Sequence, residues 1–258
     1  MKAAIRMAAV SGLALAAACA ACAAQGEARA RTARRPAAPS GGLVERAGAG
    51  LAVRVADAQR TLPHAMVEAA ARGVRLRSLL RVEASAPADA PSGAEGCLRL
   101  AASEARADGA GAAVLVADCP SLPLVVASPD GRWAVANVSS LAGCPPDVAA
   151  ARLSRLLWNA AARAIGAGGS GHGGGVLAPF RSAGDLDALP DVPGPMQHNA
   201  LMDAASACGI GRVTVATYRA ACAQGWAPEP TNAVQQAIWD EVRSGRERGP
   251  ARALRIVP

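Results

Sequence analysis

Arg155-Leu-Leu-Trp-Asn-Ala-Ala-Ala-Arg-Ala-Ile-Gly166 runs into a glycine-rich stretch, Ala167 to Gly175, and then into Val176-Leu177. Its apolar stripe begins upstream, at Val148, and continues through Leu153, Leu156, Leu157, Ala160 and Ala161. That spacing predicts a long helix from Asp147, a good N-cap residue, to Ile165, with Gly166 as its stop. Gly166 to Gly171 satisfies G-x-G-x-x-G literally. A dinucleotide fingerprint must open a helix, so that phosphate meets its positive end; here the glycines close one and present the negative end. Lysine is absent after Lys2, which removes P-loop and Schiff-base chemistry from the chain beyond the leader. A nucleophile elbow, G-x-S-x-G, fails because His172 occupies its last position. Ser170 and His172 sit too close together in a glycine loop to act as nucleophile and base. The bland reading is a surface loop after a helix.

Working outward, Leu51–Val55 reads as a strand and Pro63–Arg72 as a helix stopped by Gly73. Val74–Val82 reads as a strand, Ala84–Gly96 as a Pro/Gly loop and Leu98–Ala107 as a helix. Ala112–Ala117, Leu122–Ala127 and Trp133–Val138 read as strands, with a turn at Asp130-Gly131 between the last two. The order implies an α/β fold: a mixed sheet with packed helices. Past the glycine loop, helical segments are expected at Ser182–Leu189, Pro195–Ala207, Thr214–Gln224 and Thr231–Arg243, giving a mainly helical C-terminal half. The organisation that follows is a leader at 1–24, a linker at 25–50 and one α/β domain at 51–243. Its part 51–145 is sheet-rich and its part 146–243 helix-rich. A tail covers 244–258, with a short strand at Leu254–Val257.

From Gly131 onward the chain resembles the archaemetzincins, a metzincin family of zinc peptidases. Gly131-Arg-Trp-Ala-Val135 is similar to the start of the family strand G-R-x-A-V-x-x-x-x-L, and Leu141 falls one residue beyond its final Leu. The family zinc helix reads H-E-x-x-H-x-x-G-x-x-H-C, followed by C-V-M and x-F-S-N-S-x-x-D-x-D. Placing its glycine on Gly166 needs no gap. Arg155, Leu157 and Gly168 suit the pattern, and Val176-Leu177 take the V-M positions. Ser170 and Gly175 take the two Cys positions, Phe180 lies one residue from the family Phe, and Ser182, Asp185 and Asp187 meet the serine and the aspartates. The resemblance covers residues 131–187 and implies a metzincin-like fold.

The chemistry that the resemblance implies is missing. Asn159 stands at the first His position, Ala160 at the Glu, Arg163 at the second His and Gly169 at the third. A metzincin centre needs two imidazoles at i, i+4, a third from the turn, and the carboxylate to activate water. Arg163 puts a permanent cation where the metal would sit. The alternative is a zinc-dependent peptidase with non-standard ligands including His172, joined by His64 or His198 and by Asp185, Asp187 or a cysteine. The expectation leans away from an enzyme: no catalytic residue, no metal and no cofactor. It favours an exported, non-catalytic metzincin-like protein with a binding or structural role in the cell envelope. Arg163, His172, Tyr218, Arg219 and Trp226 are its candidate binding residues. For Tyr218, Trp226 and Trp239 the competing reading is packing in the core. The partner, a protein or a small ligand, is open, as is the oligomeric state.

Lys2 and Arg6 precede an apolar run from Met7 to Ala18, and small residues continue to Ala24; this is the order of a secretory signal peptide. Cys19 is the candidate lipidation site if the leader is a lipoprotein's, and that would attach the chain to a membrane. The net charge of +7 is not a nucleic-acid signal. Residues 1–35 carry +5 of it, the remainder is mixed, and stacking aromatics are few. Five cysteines lie beyond the leader: Cys97, Cys119, Cys144, Cys208 and Cys222. In an oxidising compartment disulfides are expected. Cys208–Cys222 is the favoured pair, Cys119–Cys144 a second, and five buried free thiols the alternative.

Overall fold

Eight residues, Ala110–Ala117, form the strand around which the molecule is built (β4), and all but the first are buried. A strand with no polar alternation must be covered on both faces. In the computed structural model, which describes residues 41–85, 91–168 and 175–247, it is. Val114 and Val116 face one apolar cluster, while Leu115 and Ala117 face another.

The strands are β1 (Leu43–Ala47), β2 (Ala52–Asp57), β3 (Val82–Ser85), β4, β5 (Val125–Ala127), β6 (Trp133–Asn137) and β7 (Val213–Thr217). Five form one sheet, in the order β3-β2-β4-β6-β5. Its first four strands are parallel, and β5 returns antiparallel along β6 as an edge. Helices α1 (His64–Ser78) and α3 (Pro146–Ala164) share the larger cluster on one face, together with Leu201 and Ala205 of α4 (Pro195–Ala207). Helix α2 (Gly93–Glu104) covers the other face through Cys97 and Ala101. The expected mixed α/β sheet with packed helices is what forms.

Several local expectations are corrected. Gly73 does not stop α1, which runs on to Ser78. The residues read as the strand Val74–Val82 continue its buried face from Val67, Ala70 and Ala71 to Val74 and Ser78. Only Val82–Ser85 becomes strand. Segment 25–50 is not linker throughout, because β1 pairs antiparallel with β7, from Leu43 opposite Thr217 to Ala47 opposite Val213. Residues 213–217, read as the start of a helix, are β-branched at four of five positions and suit that pairing. Thr217 then caps the short α5 (Tyr218–Gln224) by accepting from Ala220 N at 3.3 Å. The last helix, α6 (Ala233–Glu247), reaches into the segment read as tail. Asn232 rather than Thr231 stands at its start, accepting from Gln235 N at 2.9 Å. Leu254–Val257 and the leader lie outside the described residues. Among the described residues no helix is long and apolar enough to cross a membrane.

Helix α1 ends on Leu79, whose φ of 59° is left-handed; it is the one non-glycine residue with positive φ among those described. Its amide donates to Arg75 O at 2.8 Å, closing the helix, while its side chain is 43% exposed. The left-handed conformation costs a residue with a Cβ about 1–2 kcal/mol, and an exposed leucine returns little through packing. Replacing it with glycine removes that strain against an unfolded-state entropy cost of about 0.5–1 kcal/mol. The expected outcome for L79G is a gain of about 0.5–1 kcal/mol, read as a higher denaturant midpoint with an unchanged slope.

Candidate active-site cleft

Helix α3 starts at Pro145-Pro146, where a missing N–H costs nothing. Pro145 is the N-cap and Asp147 lies inside the first turn, where its charge suits the helix dipole. The second half is buried on almost every side: Leu156 through Ala162, and Ala164. It is closed by Gly166, with φ +82°. There the β5–β6 turn approaches closely. A Cβ on Gly131, itself at φ +67°, would lie 3.0 Å from Gly166 Cα. A side chain at Gly131 would force the turn away from the helix end.

This contact shapes a cleft of about 430 Å³. Ser128, Asp130 and Gly131 line one side; Arg163, Gly166 and Gly168 line the other. Ser128 Oγ is hydrogen-bonded to Asp130. Gly168 lies flat on the aliphatic stem of Arg163, since a Cβ there would come within 2.3 Å of Arg163 Cγ. Arg163 is partly buried and forms no ion pair among the described residues. Asn159 and Ala160 are buried one turn earlier. Asn159 Nδ2 donates to Ala178 O at 3.2 Å, which ties α3 to the turn 175–178. Its Oδ1 has no partner among the described residues. Val176 and Leu177 of that turn are packed into the larger cluster, below the helix. Gly169, Ser170 and His172 lie outside the described residues.

Ser182, Asp185 and Asp187 are wired into the scaffold. Asp185 Oδ2 accepts from Arg181 N at 2.9 Å and Ser182 N at 3.0 Å, and these bonds hold its carboxyl below the usual range. Asp187 takes both arms of Arg152, at 2.9 and 2.6 Å, and is likewise lowered, chiefly by that guanidinium. Arg155 reaches Asp191 at 2.9 Å. The segment after the turn is thus held on α3 by arginines of α3 itself.

The remaining candidates lie elsewhere. Tyr218 is fully buried; its hydroxyl donates to Pro228 O at 2.8 Å, and its ring centroid is 6.4 Å from that of Trp239. Burial raises its phenol pKa. Arg219 forms a two-armed pair with Glu241 at 2.9 and 2.5 Å. Trp226 donates from Nε1 to Gln224 at 2.7 Å. These residues fasten α5 to α6, which supports the core reading for Tyr218, and none lines the Arg163 cleft. His198 lies beside an open hollow with Leu79 and Arg212. The expected pair Cys208–Cys222 is not formed, and Cys119–Cys144 is not either: all five cysteines from Cys97 onward are free thiols. Cys208 points at Ile165 O at 3.7 Å, Cys222 interacts with Tyr218, and Cys144 lies 3.4 Å from an Arg152 nitrogen.

One cluster has no signal in the sequence. Asp57, buried at the end of β2, meets His64 Nδ1 at 2.6 Å, and His64 Nε2 is 3.3 Å from Glu68 Oε1. Only Glu68 stands at a helical spacing from His64. Asp57 is brought in by the β2–α1 connection.

No family model matches the sequence, and no curated protein matches it. Three solved structures do. One is an archaemetzincin from Methanopyrus kandleri: 15% identity over 60% of this chain and 96% of that one, with a TM-score of 0.50. The others are a zinc-dependent peptidase from Methanocorpusculum labreanum and an archaemetzincin from Archaeoglobus fulgidus complexed with malonate. Each is 12% identical; they cover 58% and 57% of this chain and 99% of their own, with TM-scores of 0.47 and 0.46. The fold is archaemetzincin-like.

The Asp57 hydrogen bond is the main cause that raises the His64 pKa above its ordinary 6.5, with Glu68 adding to it. A raised folded-state pKa means that the stabilisation is complete below about 6.5 and is lost as pH rises through the folded value. The melting temperature of the native chain should exceed that of H64Q most at pH 6 and below. The gap should narrow as pH rises above that range; thermal melts of both across a pH series read it directly.

Proposed function

We propose that this chain is an exported metzincin-like protein that binds a partner in its cleft without cleaving it. The carrying observation is the division of the motif between parts that are kept and parts that are replaced. Ser182, Asp185 and Asp187 are retained: Asp187 braces α3 through Arg152, and Ser182 and Asp185 close the turn that leads to it. The zinc-helix positions offer a neutral amide, a methyl group and a cation. Asn159 already spends its amide nitrogen on Ala178 O, leaving one neutral oxygen. Ala160 supplies no base. A guanidinium is always protonated and repels a divalent ion. Among the described residues no three His, Cys, Asp or Glu side chains are grouped to hold a metal. This donor set does not suit zinc.

Arg163 suits an anion instead. A guanidinium with no ion pair among the described residues, on the wall of a 430 Å³ cleft, fits a carboxylate through two parallel hydrogen bonds. Asp130 on the opposite wall disfavours a multiply charged anion and suits a ligand with a single carboxylate beside polar groups. Export rests on the order of Lys2, Arg6 and the apolar run after them.

Metal analysis of the purified full chain should find zinc well below one equivalent. Stoichiometric zinc that disappears in H172A would establish the peptidase alternative. A panel of peptides with free C-terminal carboxylates, titrated calorimetrically beside their amidated forms, tests the ligand class. The free-acid form should bind more tightly, and R163Q should weaken it by about tenfold or more. Equal binding of acid and amide would sink the carboxylate reading.

A further inference from the structure

Two thiols of this chain meet, and they are not a pair that sequence spacing singles out. Cys97 projects from α2 toward the sheet and is 2% exposed; Cys119 lies two residues past β4 and is 4% exposed. Both belong to the small cluster formed with Ala101, Leu115, Ala117 and Val135. Their side chains are close enough to act as hydrogen-bond partners. No cation touches either sulfur among the contacts described; the other neighbour of Cys119 Sγ is Ser121 Oγ, at 3.3 Å. Burial, with Cys119 adding to it, pushes the Cys97 thiol up to about 11. A nucleophilic or redox-sensing cysteine is held as thiolate in an electropositive, accessible setting. This pair is the opposite: sealed and apolar, with the Cys97 thiol pushed up by burial. Among the described residues it has no companion ligands for a metal. Two adjacent buried thiols in such a setting suit a structural cross-link.

We propose that Cys97 and Cys119 close into a disulfide when the chain folds under oxidising conditions, fastening α2 to the root of the edge strand β5. The position gives the bond a mechanical role. Asn137, at the end of β6, brackets Cys119: its Oδ1 accepts from Cys119 N at 3.1 Å and its Nδ2 donates to Cys119 O at 2.8 Å. The same Nδ2 donates to Leu122 O at 2.7 Å. Residues 119–124 lead directly into β5 and on to Ser128, Asp130 and Gly131 of the cleft. A cross-link at Cys119 fixes the start of that path to a helix on the far face of the sheet.

Closure is a two-electron thiol–disulfide exchange with a small-molecule or protein disulfide as oxidant. One cysteine thiolate attacks the oxidant's disulfide, forming a mixed disulfide and releasing one thiolate. The second cysteine thiolate displaces the second. The two protons given up by Cys97 and Cys119 end on the two released thiols. Because the native pair is sealed, the exchange belongs to folding, before α2 docks.

The test uses the full chain, reduced and unfolded, then refolded with excess glutathione disulfide. It is alkylated in denaturant without reduction, digested and mapped by mass spectrometry. The expected result is a peptide containing Cys97 linked to one containing Cys119, absent in C97S and in C119S. The oxidised protein should melt roughly 5–10 °C above the reduced one. If both cysteines are alkylated in protein that circular dichroism shows to be refolded, the proposal is wrong. Linkage of either cysteine to Cys144, Cys208 or Cys222 overturns it equally. If a single variant fails to fold, the map of the native chain decides alone. Refolding in vitro makes this outcome independent of export and of the cleft's ligand.

Discussion

The structure depends on burying the second half of α3. A helix whose last turns are apolar on nearly every side needs cover all round, and each neighbouring element supplies one side. The sheet lies above through Val114, Val116, Ala134 and Ala136, and α1 and α4 lie alongside. Val176 and Leu177 close the underside. Such a helix cannot shift without opening voids, and voids in a close-packed interior cost stability steeply. The slots along it are therefore held in place whether or not they carry chemistry. This is how an archaemetzincin-like fold is compatible with Asn159, Ala160 and Arg163 at its centre.

Zinc sites contribute folding energy by tying ligands from different segments together. In this chain protein–protein contacts make the same kinds of connection. Asn159 joins α3 to the turn through Ala178 O, and Arg152 and Arg155 join α3 to Asp187 and Asp191. The arginine pairs are partly exposed and individually contribute little. The two-armed geometry at Asp187 and the burial of Leu186 between the two aspartates give the segment a defined seat that single contacts would not.

What was legible in the sequence was whatever burial writes into a continuous pattern. Strand β4 was clear because none of its residues is polar, helix α3 because its apolar residues recur at helical spacing, and the Asp130-Gly131 turn because its geometry demands glycine. The ungapped match through Ser182, Asp185 and Asp187 pointed to the archaemetzincin-like fold. Long-range pairing was not legible. Leu43–Ala47 has no alternation and becomes strand only because Val213–Thr217, some 170 residues away, offers its edge. Gly73 looked like a stop because glycine weakens helices, yet its cost is only about 1 kcal/mol. The buried face from Val67 to Ser78 outweighs it. Asp57 meets His64 through the β2–α1 connection, and Cys97 meets Cys119 only once α2 has packed on the sheet; the favoured cysteine pair rested on two helices adjacent in sequence, one of which begins as strand β7.

Strand β5 shows how the sheet serves the cleft. It is three residues long and antiparallel, an edge paired on one side only, and short edges are the usual means of limiting unwanted pairing. It owes its position to what holds its two ends. At one end Asn137 clamps Cys119 and Leu122; at the other Gly131 rests against Gly166, where neither backbone carries a side chain to separate them. Both restraints act on backbone atoms, and Ser128 adds a third: its Oγ, buried and bonded to Asp130, accepts from Arg132 N at 3.4 Å within the same turn. The wall opposite Arg163 is therefore set by contacts that do not involve Asn159, Ala160 or the Arg163 guanidinium.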